Sequence, residues 1–167
     1  MTYPRGQRRF VQTLHRIVAS NGLCIFRLFI PPKERESSDK VLQDLLGAKI
    51  PNLNLLKFRL WMAMHEDITH GVELKRIWNA IYRAAPDFNR LASRIGWPIE
   101  HLMAINTYRN SSTRYYFLDL DRVCHLFCEN PGGFMLESVH VPTYELGELC
   151  PTVVLRRIDI SDIRGDD

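Results

Sequence analysis

The chain has 167 residues, 46% of them hydrophobic and 25% charged, with a formal net charge of +3 and a pI near 8.7. That balance excludes a disordered chain; it fits a single domain over 1–167 that buries a real core, mildly basic and compatible with an anionic partner. No apolar run approaches the roughly 20 residues that span a bilayer, the basic start lacks a secretory apolar core, and four cysteines are too few for a disulfide scaffold. A cytoplasmic location without a membrane partner is therefore expected.

In chain order, Phe10, Val11, Leu14, Ile17 and Val18 recur at helical spacing, and Asn21-Gly22 stops that helix. Leu23 to Ile30, bounded by Gly22 and Pro31-Pro32, reads as a buried strand. Ser38-Asp39 is placed to cap a short helix with Val41, Leu42, Leu45 and Leu46 inward and Gly47 at its end. Leu53, Leu56, Leu60 and Met64 share a helical face. Asp67 or Thr69 then caps a helix whose stripe is Leu74, Ile77, Trp78 and Ile81, ended by Ala85-Pro86. Further on, the aromatic run Arg114–Leu118 favours a strand, and Asp119 caps a helix holding Leu120, Val123, Leu126 and Phe127. Asn130-Pro-Gly-Gly133 breaks the chain, and Phe134–Val141 and Thr152–Ile160 read as strands paired with each other. The expected class is α+β: a helical first two-thirds and a β-rich remainder.

The segment from Phe88 to Ile105 carries the functional signal. Leu91 and Ile95 are spaced for one buried face, Ala92 lets a second helix approach, Gly96 and Pro98 break the chain, and Leu102 and Ile105 restart the stripe. Residues 88–107 resemble the helix-turn-helix of bacterial regulators. Thr113–Val123 is similar to the strand and capped helix that follow the wing in winged-helix proteins of the MerR and excisionase kind, and the candidate subregion is 71–128. The resemblance implies that the second helix enters a DNA major groove, with Ile99, Glu100, Met103, Ala104 and Thr107 facing base edges and Arg90, Arg94, Arg109 and Arg114 on phosphates. That reading face is short of the Arg, Gln, Asn and Lys that base recognition favours. A helical hairpin packed into its own core is the competing explanation of the same pattern.

Other groupings are weaker. Residues 1–33 carry Arg5, Arg8, Arg9, Arg16, Arg27 and Lys33 without a carboxylate, which suits either a solvated helix face or an arm along phosphates. Cys124 and Cys128 lie one helical turn apart, but His140 and Cys150 do not form the matched second pair a zinc site uses. His65 and His70 are five apart, the wrong spacing for two ligands on one helix face. Gly132-Gly133 lacks a phosphate-loop lysine and reads as a turn. No catalytic residue, metal or cofactor is assigned. The expectation is a non-enzymatic regulator binding double-stranded DNA as a homodimer, with self-association or effector sensing in the β-rich tail. The alternative is a protein–protein adaptor or inhibitor that uses its aromatic residues (Trp61, Trp78, Trp97, Tyr115, Tyr116) as anchors and never touches nucleic acid.

Overall fold

A computed structural model describes residues 4–67, 70–129, 133–144 and 146–159. The fold is α+β, helices dominating the first two-thirds and strands the last third. Two compact units are distinguishable, one formed by 1–31 with 117–167 and the other by 32–116. The 71–128 subregion crosses that division.

The first unit holds helix α1 (Pro4–Ile17), strand β1 (Leu23–Arg27), helix α7 (Leu120–Phe127) and strands β4 (Phe134–His140) and β5 (Thr152–Arg157). Its sheet runs β1-β5-β4, antiparallel throughout, with a bulge in β4 between Leu136 and Ser138. The predicted pairing of the last two strands is therefore observed, with β1 added on the far side of β5. One face of the sheet is covered: Phe127 of α7 meets Phe26 at 5.3 Å and Phe134 at 5.7 Å between ring centroids. Val11, Val123, Val153 and Leu155 complete this core. The other face is open. Leu23 is 46% and Ile25 62% exposed and Cys24 and Phe26 are half-buried, so β1 is an edge strand partly covered on one side, not the buried strand its apolar composition suggests. Asp119 caps α7 as expected, its carboxylate accepting from the Arg122 N–H at 2.6 Å.

The second unit contains helices α2 (Ser38–Leu46), α3 (Leu53–Met64), α4 (Leu74–Ala84), α5 (Phe88–Ile95) and α6 (Ile99–Met103), and the short strands β2 (Val72–Glu73) and β3 (Arg114–Tyr115). The cap of α2 is Ser37, one residue earlier than expected, its hydroxyl accepting from the Lys40 N–H. Leu53, Leu56 and Leu60 of α3 are buried as expected, but so are Phe58, Trp61 and Met62, because α2 and α4 both pack on this helix. An ionic cluster ties α2 to α3: Arg59 donates to both oxygens of Glu36 at 2.7 and 2.5 Å and to Asp44 at 2.8 Å. The Arg59 guanidinium, with Lys40 and Lys49 beside it, lowers the Asp44 carboxyl to about 2.

Two expectations around α4 are corrected. Asp67 does not cap it; its carboxylate instead accepts from the His70 N–H at 2.8 Å, and Val72-Glu73 form β2 before the helix begins. The strand expected over 114–118 pairs only at Arg114 and Tyr115, opposite Glu73 and Val72. Tyr116, Phe117 and Leu118 are buried outside any strand. Thr69, Asn130–Gly132 and Ile160 lie outside the described residues.

Candidate nucleic-acid interface

The α5–α6 unit is built by local chemistry. Asp87 starts α5, its carboxylate accepting from the Arg90 N–H at 3.0 Å, a cap worth about 1 kcal/mol. Leu91, Ala92 and Ile95 fall on one face and are buried. Gly96 ends the helix in the left-handed region at φ +72°, and the N–H groups of Gly96 and Trp97 both return to the Ala92 carbonyl. A Cβ at Gly96 would meet nothing within 4 Å, so the backbone angle and not space demands glycine here. Pro98 then opens α6, its carbonyl accepting from the His101 N–H at 3.1 Å.

Beyond Met103 the helix tightens into a 3-10 turn over Ala104–Tyr108. Leu102 and Ile105 are fully buried and hold this short element down. Trp78 of α4 adds a polar lock: its indole Nε1 donates to Asn106 Oδ1 at 3.0 Å, and Asn106 Nδ2 donates to Met103 Sδ at 3.6 Å. At the far end Trp61 stacks on Tyr115 with centroids 4.4 Å apart and meets Tyr108 at 6.3 Å. Burial in this aromatic cluster pushes the Tyr108 hydroxyl up to about 12.

The outward face of α6 and its continuation carries Glu100, Met103, Ala104 and Thr107, all exposed, with Ile99 half-buried at its edge. Five of the residues assigned to the site thus form one solvent-facing stripe, 99 to 107. Glu100 makes no ion pair among the described residues. Thr107 donates its hydroxyl to the Ala104 carbonyl at 3.0 Å, leaving the oxygen's lone pairs and the methyl group outward.

The cations divide into two kinds. Arg90 and Arg94 are exposed, line one open hollow of about 260 Å³ with Asp87 and Pro86, and enter no ion pair among the described residues. Arg109 is exposed with its guanidinium 5.2 Å from the Trp78 ring centre, a stacking that leaves in-plane N–H groups outward. Arg114 differs. It donates to the His70 carbonyl at 2.7 Å and lies 3.9 Å from the Glu73 carboxylate, so it serves the β2–β3 junction. From 74 to 116 seven arginines and lysines stand against two carboxylates, +5 where the whole chain carries +3. Sequence reasoning missed Asn106, whose role depends on Trp78, 28 positions away.

The remaining constellations do not assemble. Cys24, Cys124, Cys128 and Cys150 are all free thiols, and no three metal-ligating side chains converge among the described residues. Burial pushes the Cys128 thiol up, away from the reactive thiolate. In α1 the exposed Arg8, Arg9 and Arg16 lie along an ordinary helix. Among the described residues no helix is long and apolar enough to cross a membrane. No protein-family model matches this chain, and no curated protein or solved structure matches it.

Proposed function

We propose that this protein is a DNA-binding regulator without catalytic activity, which lays α6 and its 3-10 continuation in the major groove of duplex DNA. One observation carries the reading. Leu91, Ala92, Ile95, Leu102 and Ile105 supply the entire buried side of the α5–Gly96–α6 unit, which leaves Glu100, Met103, Ala104 and Thr107 free. An open face is common to surface helices, but it is the condition a recognition helix must meet to reach a groove. The local surplus of positive charge supplies what a polyanion needs, with Arg90, Arg94 and Arg109 as the phosphate contacts.

One short reading helix gives little affinity, and a homodimer on a two-fold site is the usual remedy. The open face of the β1-β5-β4 sheet, with Leu23, Ile25 and Met135 exposed, supports self-association through the β-rich part. The adaptor alternative loses most of its aromatic anchors, since Trp61, Trp78 and Tyr116 are buried and Trp97 and Tyr115 only half-exposed; the open sheet face is the surface left to it. Anisotropy titration of the full chain with labelled mixed-sequence duplex, at 50 to 200 mM salt, separates the two. A regulator binds, and its log K falls with log salt at a slope of about −0.9 for each phosphate contacted. An adaptor shows no such binding.

A further inference from the structure

The stripe that faces outward from α6 lacks a hydrogen-bond donor. Glu100 offers only acceptor oxygens, Met103 and Ala104 offer apolar groups, and the Thr107 hydroxyl proton is engaged by the Ala104 carbonyl at 3.0 Å. Asn106 borders the stripe; its oxygen is held by Trp78 and one amide proton reaches Met103 Sδ, which fixes the amide plane and leaves only its second proton for a partner. His101 is exposed and, at 100° per residue, stands about 60° beyond Ala104 and about 100° from Glu100, so its ring borders the stripe without belonging to it. The cations that counter the duplex charge, Arg90, Arg94 and Arg109, sit on other elements or beyond the stripe.

Major-groove edges differ in what they ask of a reader. Guanine presents N7 and O6, both acceptors, and needs a donor; cytosine N4 and adenine N6 are donors and need an acceptor; thymine presents a methyl group. Taking the major-groove reading proposed above as its basis, we infer that this protein selects duplex sites whose contacted edges present a cytosine amino group to Glu100 and thymine methyl groups to Met103 and Ala104, and that it discriminates against guanine in the contacted strand. A carboxylate at this position weakens general attraction to phosphate. Glu100 therefore trades sequence-independent affinity for selection: an unpaired acceptor facing guanine O6 is repelled, whereas one facing cytosine N4 is satisfied. A carboxylate in a first helical turn also suits the helix dipole, but that role is indifferent to which base is bound.

The test is enrichment of bound sequences from a random duplex pool by the full-length protein and by its Glu100→Gln variant, both checked for native circular dichroism. The wild type is expected to enrich a cytosine at one position next to thymines. Glu100→Gln is expected to bind the unselected pool more tightly and to switch that one position to adenine, because a Gln amide pairs with both N6 and N7. The preference there should change by about five- to a hundredfold. Enriched sites that are identical for the two proteins, or that place guanine against the stripe, overturn this inference and leave DNA binding standing. Absence of any enrichment together with absence of salt-sensitive binding overturns the DNA-binding reading itself, and this inference with it.

Discussion

Replacing Gly96 by alanine isolates the backbone cost of the turn between α5 and α6. At φ +72° an L-residue is strained by about 1–2 kcal/mol, while the open surroundings add no steric cost. Alanine also narrows the unfolded ensemble, which offsets about 0.4–1 kcal/mol. The net expectation is a loss of about 1 kcal/mol. Gly71 provides the contrast. It too has positive φ, +59°, but an added Cβ there lies 2.6 Å from the Tyr115 carbonyl oxygen and 2.9 Å from the Tyr116 ring. Backbone cannot yield as a side-chain end does, so Gly71→Ala should cost about 1–3 kcal/mol more than the angle alone. Urea unfolding followed by tryptophan fluorescence reads both, because Trp61, Trp78 and Trp97 all lie within 32–116. With a slope of about 1–3 kcal/mol per molar urea, Gly96→Ala shifts the midpoint by about 0.3–1 M. Equal costs for the two variants, or a stabilised Gly96→Ala, would refute the reasoning.

Leu102→Ala, at a fully buried position, should cost about 2–5 kcal/mol, while Met103→Ala on the exposed side stays within about 0.5 kcal/mol; thermal unfolding compares them. Asn106→Leu removes the acceptor of the Trp78 indole and should cost about 1–3 kcal/mol in the same measurement. The Asp44 carboxyl is lowered to about 2 in the fold against a usual value of 3.8, so its contribution is complete above about pH 5 and fades as pH falls through 2. Stability measured over that range should decline toward acid, and Asp44→Asn should remove part of the slope. Arg90→Ala and Arg94→Ala should each reduce the salt slope of DNA binding by about 1 without loss of fold, whereas Arg114→Ala should lower the melting temperature through the β2–β3 junction.

Where structure follows from neighbouring residues, the sequence located most helix ends, though it put the α2 cap one residue late and assigned Asp67 to a helix it does not cap. Asp119, Gly47 and Gly96 each act on backbone groups within four positions, so their cap and stops were readable directly, whereas the equally local cap at Asp87 was not singled out. Helix α6 was placed by the same logic, since burial of Leu102 and Ile105 decides which residues are left outside. Features that depend on distant partners were not readable. Arg114 looks like a free cation until His70, 44 positions earlier, brings its carbonyl alongside. The composition of β1 promises burial, but a sheet covered on one face exposes alternate residues, and nothing in Leu23–Arg27 says which face is covered. Val72-Glu73 become a strand only because Arg114-Tyr115 arrive to pair with them.

Met103 and Met135 allow the reading face to be tested within a single sample. They are 43% and 49% exposed, one on the outer stripe of α6 and the other on the open sheet face. Mild peroxide oxidation converts exposed methionines to the sulfoxide, and mass spectrometry follows each site with and without saturating duplex DNA. The expected result is oxidation of Met103 slowed several-fold by the duplex, while Met135, on the sheet face assigned to self-association, reports dimer formation separately. A duplex that binds yet leaves Met103 as reactive as in the free protein would contradict the account.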